Sequence, residues 1–128
     1  AVAHVDTTAL LVDYGRVIAT CSTACTFHQQ LIKNMVRILA FKNIMLMQKM
    51  QHITRKTTRE KVISYLSEQA LLAGRDRFDI PFNRQELADY LSVERSALSA
   101  TLSNMKRDGL IDYHKNSFRI LKGFAAEA

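Results

Sequence analysis

The sequence predicts a mainly α chain with small β elements, a long dimerisation helix followed by a winged helix-turn-helix domain. Three observations carry that expectation. Asn83 to Ile111 holds two amphipathic helical patterns, a tight joint and the start of a strand. Ile32 to Ile53 keeps an apolar seven-residue repeat. Two β-prone runs, Leu110 to His114 and Ser117 to Leu121, close around Lys115-Asn116. With 128 residues, one Pro and 4 Gly, little room is left for long structureless linkers.

Taken from the start, Val2, Val5, Leu10, Leu11 and Val12 sit in two short β-prone runs separated by Asp6-Thr7-Thr8, the pattern of a hairpin or of the last strands of a larger sheet. The chain opens on AVAHV and not on methionine, so it reads as a fragment whose upstream part is missing. Tyr14 to Cys25 reads as a helix and a turn, with Gly15 weakening its start. From Phe27 or His28 a long helical pattern runs to about Ile53. Within it Ile32, Val36, Leu39, Asn43, Leu46, Met50 and Ile53 alternate in steps of four and three, the repeat of a left-handed coiled coil. A second helix of the same kind is its natural partner, and Asn43 would meet its twin across a two-fold axis, fixing register and favouring two strands. The flanking face of Leu31, Met35, Ile38 and Met45 is also apolar, which suits a cover over the preceding β elements. In the alternative, Asn43 caps or faces solvent and the stripe is ordinary globular core.

Thr57 and Thr58, followed by Arg59-Glu60, start a further helix that ends near Gly74, a good C-terminal stop residue. Asp79-Ile80-Pro81-Phe82 is expected as a short strand. Asn83 and Glu86 then stand at capping-box spacing, so a helix begins at Arg84 and buries Leu87, Ala88 and Leu91. On the next helix Leu98, Leu102 and Met105 form the buried stripe, leaving Arg95, Ser96, Ser99, Ala100 and Ser103 outward. Short and hydroxylic side chains behind one arginine let a helix lie close in a major groove; a plain hairpin packed in a core would share the pattern. Arg95 is placed to pair with guanine, with a phosphate, Asp89 or Glu94 as its other possible partners. Arg84 and Gln85 lie beside free amides at a helix N-terminus, where an anion such as phosphate is favoured. Beyond, the strand-like runs around Lys115-Asn116 form a tight basic hairpin, chemically suited to a phosphate backbone but equally readable as a solvated turn.

At RQELADYLSVERSALSATLSNM, and at TTREKVISYL before it, the chain resembles the Crp/Fnr family of bacterial transcription regulators. The resemblance implies a division into 1–27, the end of an effector-sensing β-barrel; 28–54, the dimerisation helix; and 55–128, a winged helix-turn-helix DNA-binding domain. It implies a homodimer on an inverted-repeat site in double-stranded DNA, base contacts from Arg95, Ser96, Ser99 and Ala100, and phosphate contacts from Arg84, Gln85, Ser103 and the tip residues His114, Lys115 and Asn116. RNA polymerase is a further implied partner. Two departures stand out. Ser92 occupies the turn where the family usually has glycine, and Ser96 and Ala100 replace the longer base-reading side chains of many members.

Composition agrees. Eighteen Lys and Arg against 12 Asp and Glu give a formal charge of +6, which suits a polyanion, though basic chains often bind none. Two cysteines and no N-terminal secretion signal point to a reducing cytoplasm, and no apolar run approaches membrane-spanning length. Cys21, Cys25 and His28 could share a helix face as a metal or redox sensor, but three ligands at this spacing fit no standard site, and small buried cysteines are the better reading. No bound metal or cofactor is expected in this stretch, and the effector of the whole protein is left open. No nucleophile with base, Gly-rich phosphate loop or paired carboxylates argues for an enzyme. The other readings are a winged-helix protein-interaction module and the thiol sensor acting on the same DNA domain.

Overall fold

The computed structural model describes residues 2–3, 5–19 and 25–121. They form two compact units, 1–44 and 45–128. In the first, residues 5–13 run without regular structure, with Leu10, Leu11 and Val12 exposed. The expected hairpin is therefore absent among the described residues. A strand needs a neighbour to fill its ladder, and here local bonds take over. The Thr7 hydroxyl donates to the Val5 carbonyl at 2.8 Å, and the Asp13 carboxylate accepts from the Arg16 amide to cap α1, Tyr14–Ile18.

Helix α2 spans Thr26–Ile53, close to the expected range. At 28 residues it is about 42 Å long at the usual rise. Its seam is open to solvent: Val36, Leu39, Leu46 and Met50 are 59, 65, 62 and 58% exposed, Asn43 is exposed, and Ile32 and Ile53 are half-buried. On the flanking face Leu31 and Met35 are half-buried, but Ile38 and Met45 remain exposed, so no cover extends over them.

The second unit is built by caps and a single core. Helix α3, Thr58–Ala73, opens on a capping box between Thr57 and Glu60 and closes at Gly74 with φ 63°. Strand β1 is Arg77–Asp79, two residues earlier than its expected start. Phe78 must point inward opposite Phe118, and Pro81, lacking an N–H, cannot extend the ladder. Helix α4, Arg84–Leu91, has the expected Asn83–Glu86 box, with bonds of 2.7 and 3.0 Å. Helix α5, Arg95–Arg107, ends in a Schellman pair: Gly109, φ 69°, donates to the Lys106 carbonyl and Leu110 to that of Met105, both at 3.0 Å.

Strands β2, Ile111–His114, and β3, Ser117–Ile120, complete an antiparallel sheet of order β1-β3-β2. Leu66 of α3, Leu87 and Leu91 of α4, Leu98, Leu102 and Met105 of α5, and Ile111 and Phe118 of the sheet are all at 1% exposure or less. At about 25 cal/mol per Å² of apolar surface, full burial of each such side chain favours folding by roughly 1.5–3 kcal/mol. That core fixes which face of α5 points outward.

Candidate nucleic-acid interface

The turn between α4 and α5 is the joint that aims the second helix. Val93 donates to the Ala88 carbonyl at 3.0 Å and Ser92 to that of Asp89 at 3.2 Å, a Schellman motif whose left-handed position is held by Ser92 at φ 53°. A serine there carries the strain that glycine would avoid. Lys61 of α3 supplies part of the compensation: its ammonium donates to the carbonyls of Leu91 and Ser92 at 3.2 and 3.4 Å. No short-range pattern announces that bond, because 30 residues separate the partners.

On α5 the outward residues are those expected from helical spacing. Arg95, Ser96, Ala100 and Ser103 are exposed and Ser99 is half-buried. Arg95 makes no hydrogen bond or ion pair among the described residues, and Asp89 accepts instead from the Gln85 amide at 2.9 Å. The Ser103 hydroxyl is turned back onto the Ser99 carbonyl at 2.9 Å, where it keeps a lone pair but does not reach outward. The result is a low, nearly uncharged ridge with one guanidinium at its N-terminal end.

Cations flank the ridge through an aromatic platform. The Arg84 guanidinium lies 5.1 Å from the Tyr113 ring centre and 6.0 Å from that of Phe118, and Lys106 Nζ lies 5.3 Å from Tyr113. Tyr113 itself stacks on Phe118 at 5.6 Å. Two cations attracted to one ring tie α4, α5 and the hairpin together. Lys106 also pairs with Asp112 at 2.6 Å. That hydrogen bond holds the Asp112 carboxyl below the usual carboxylate range and raises the Lys106 ammonium above its ordinary value.

At the hairpin tip His114, Lys115 and Asn116 are all exposed, and Lys115 takes φ 55°. Asn116 is tied back to the strand side, donating its amide to the Ile80 carbonyl at 3.2 Å while its own carbonyl accepts from the Ile80 amide at 2.9 Å. Lys115 is left as the charged group facing outward. Between tip and helix, Pro81, Phe82, Asn83, Arg84, Glu86, Lys115 and Asn116 line an open cleft of about 530 Å³. The structure thus brings Arg84, Lys115 and Asn116 to one cleft that His114 does not line, while the Gln85 amide bonds to Asp89.

Of the thiol and imidazole constellation, Cys21 lies outside the described residues. Cys25 Sγ is 3.2 Å from His28 Nδ1. Among the described residues no group of three or more His, Cys, Asp and Glu side chains is placed to hold a metal ion. No helix among them is long and apolar enough to cross a membrane.

Two linked helices over a small antiparallel sheet, with a hairpin beside the second helix, define a winged helix-turn-helix protein. Residues 60–123 match the profile of the Crp-like helix-turn-helix domain, and the chain belongs to that family, the DNA-binding part of Crp/Fnr-type transcription regulators. It is 37% identical over 83 residues to the transcriptional activator protein FnrL of Cereibacter sphaeroides, a match covering 56% of this chain and 32% of FnrL. The chain thus spans about a third of that relative's length. The fold is shared with FixK2 from Bradyrhizobium japonicum, at a TM-score of 0.60 and 21% identity over 73% of this chain and 48% of that one. A Crp/Fnr-family structure from Eubacterium rectale gives 0.52 and 19% over 77% and 44%.

Proposed function

We propose that this chain reads DNA as a homodimer, placing two copies of α5 in successive major grooves of an inverted repeat, under the control of a sensor domain preceding it. The observation that carries the reading is the outward face of α5, where an unpaired Arg95 leads a row of short side chains flanked by Arg84, Lys106 and Lys115. Arg95 selects a guanine in each half-site, and Ser96, Ser99 and Ala100 contribute by close approach, bridging water or contact with a thymine methyl. Arg84, His114 and Lys115 meet phosphate, with smaller parts for Gln85, Ser103 and Asn116, whose polar groups already have partners within the chain. The solvent-facing row on α2, Val36, Leu39, Asn43, Leu46 and Met50 between Ile32 and Ile53, is the dimer seam of a segment 28–54 that joins a sensor remnant, 1–27, to the DNA-binding domain, 55–128. In the cytoplasm such a dimer would meet RNA polymerase at the promoters it occupies.

Selection from a randomised duplex pool tests the reading. The expected outcome is an inverted repeat with half-site centres about one helical turn, roughly 34 Å, apart and a guanine in each half. Recovery of single, non-palindromic sites would sink it. A salt titration on random duplex separates DNA binding from a protein-docking role, because only the former loses affinity log-linearly with salt.

A further inference from the structure

Among the described residues His52 is the buried polar side chain, 2% exposed, and the helix-turn-helix chemistry makes no use of it. It sits in the last turn of α2. Its Nδ1 lies 2.8 Å from the Ser64 hydroxyl and its Nε2 2.8 Å from Glu68 Oε2, both on α3. An ionised Glu68 can only accept, so Nε2 donates to it, and the Ser64 hydroxyl rotates to satisfy whatever Nδ1 presents. The ring also stands edge-on to Tyr65 at 5.7 Å and tilted against Tyr90 of α4 at 6.2 Å. Tyr90 packs on Tyr65 at 5.4 Å and on Phe82 at 5.0 Å, and carries Lys49 Nζ 5.3 Å from its ring centre.

A leucine could fill this space without a partner, so burying an imidazole there favours geometry over bulk stability. Apolar contacts allow side chains to slide; two hydrogen bonds on opposite ring nitrogens, both to α3, do not. The end of α2 is thereby held in one direction against α3 and α4, and α4 passes that direction to α5 through the Ser92 turn. In a two-fold dimer joined through the proposed seam, whose Leu46, Met50 and Ile53 lie in the same unit as α5, the direction of these last turns of α2 sets how far apart the two reading helices stand.

We infer that His52, bonded to Ser64 and Glu68, is a positioning residue that sets the half-site spacing the dimer accepts. The inference rests on the homodimer reading above. Its test compares duplexes carrying the same two half-sites with the spacer shortened or lengthened by one and two base pairs, and a duplex with a single half-site. The unaltered chain should prefer one spacing by about tenfold or more over its one-base-pair neighbours, each of which shifts a half-site by roughly 3.4 Å and turns it about the axis. His52→Leu should keep the single half-site affinity and cut that preference by about fivefold, and His52→Gln, whose amide can bond both partners, should restore part of it. Where His52→Leu fails to fold, Glu68→Ala at the more open end of the bond takes its place with the same expectation. Full spacing preference in the folded variant overturns the inference, as does an equal loss at every spacing and on the single half-site. No spacing preference in the unaltered chain overturns the homodimer reading instead.

Discussion

The Lys61 ammonium reaches from α3 to the Leu91 carbonyl, 3.2 Å away, at the point where the chain leaves α4 for α5. It meets the negative end of α4 next to a serine in a left-handed conformation. Removing the ammonium leaves two carbonyls to water and frees the strained turn. Lys61→Met should lower stability by about 1 kcal/mol, the ordinary worth of such a bond at a partly open site. Ser92→Gly should raise it by up to about 1 kcal/mol by removing the Cβ penalty. Urea midpoints at an unchanged slope would measure both, and a Ser92→Gly midpoint below the parent's would show that the hydroxyl contributes more than the strain costs.

Arg95→Ala tests the assignment of the one unpaired guanidinium on the ridge. Loss of a bidentate guanine contact should cost roughly 1–3 kcal/mol on the best site and much less on random duplex. An equal loss on both would move Arg95 to the phosphate-contacting group.

Lys115 offers a cleaner substitution than alanine. Its φ of 55° suits glycine, so Lys115→Gly removes charge without imposing backbone strain. Stability should hold or rise while DNA affinity falls about equally for all sequences and the salt slope flattens by about one unit. An unchanged slope would take Lys115 off the backbone.

Asn43→Leu addresses the seam. A buried asparagine pair rejects higher oligomers and shifted registers, so the leucine variant should associate more tightly and less uniquely. Sedimentation showing the same well-defined dimer would place Asn43 away from the axis.

The Lys106–Asp112 pair sets a pH window. Asp112 has its folded value lowered, chiefly by the Lys106 hydrogen bond, so its contribution is full above the unfolded carboxylate value and lost as pH falls through the folded one. Lys106 has its value raised by the same bond, so its share is full below the unfolded amine value and lost as pH rises through the folded one. The stability difference between the parent and Asp112→Asn should therefore be flat across neutral pH and shrink towards both acid and strong alkali. Both groups are exposed, and the difference should be small and shrink further with salt. A difference that grows in acid would show that the pair does not control it.

Local chemistry makes most of the second unit legible in the sequence. Asn83 with Glu86, and Gly74, each act within a turn of helix, and the 3.6-residue rhythm of Leu98, Leu102 and Met105 requires only a core to face. Frame and partnership were less accessible. Phe78 opposite Phe118 shifts β1 forward, and that pairing spans 40 residues of chain. The N-terminal runs have the composition of strands, but composition supplies no neighbour to bond with. Lys61, His52 and the Arg84–Tyr113–Lys106 platform are long-range arrangements of residues that look unremarkable in sequence. Nothing adjacent in the sequence marks His52, because its partners are 12 and 16 positions away.

Between Thr26 and Ile44, α2 carries Val36, Ile38, Leu39, Phe41 and Ile44 all more than half exposed. A helix of that length gains little order from propensity alone and depends on covering its apolar face. Anything that covers the face only on association ties helical order to abundance, because the ordered form is drawn off by mass action. If the dimer proposed above is that cover, proteolysis of this stretch should fall as the concentration of the chain rises.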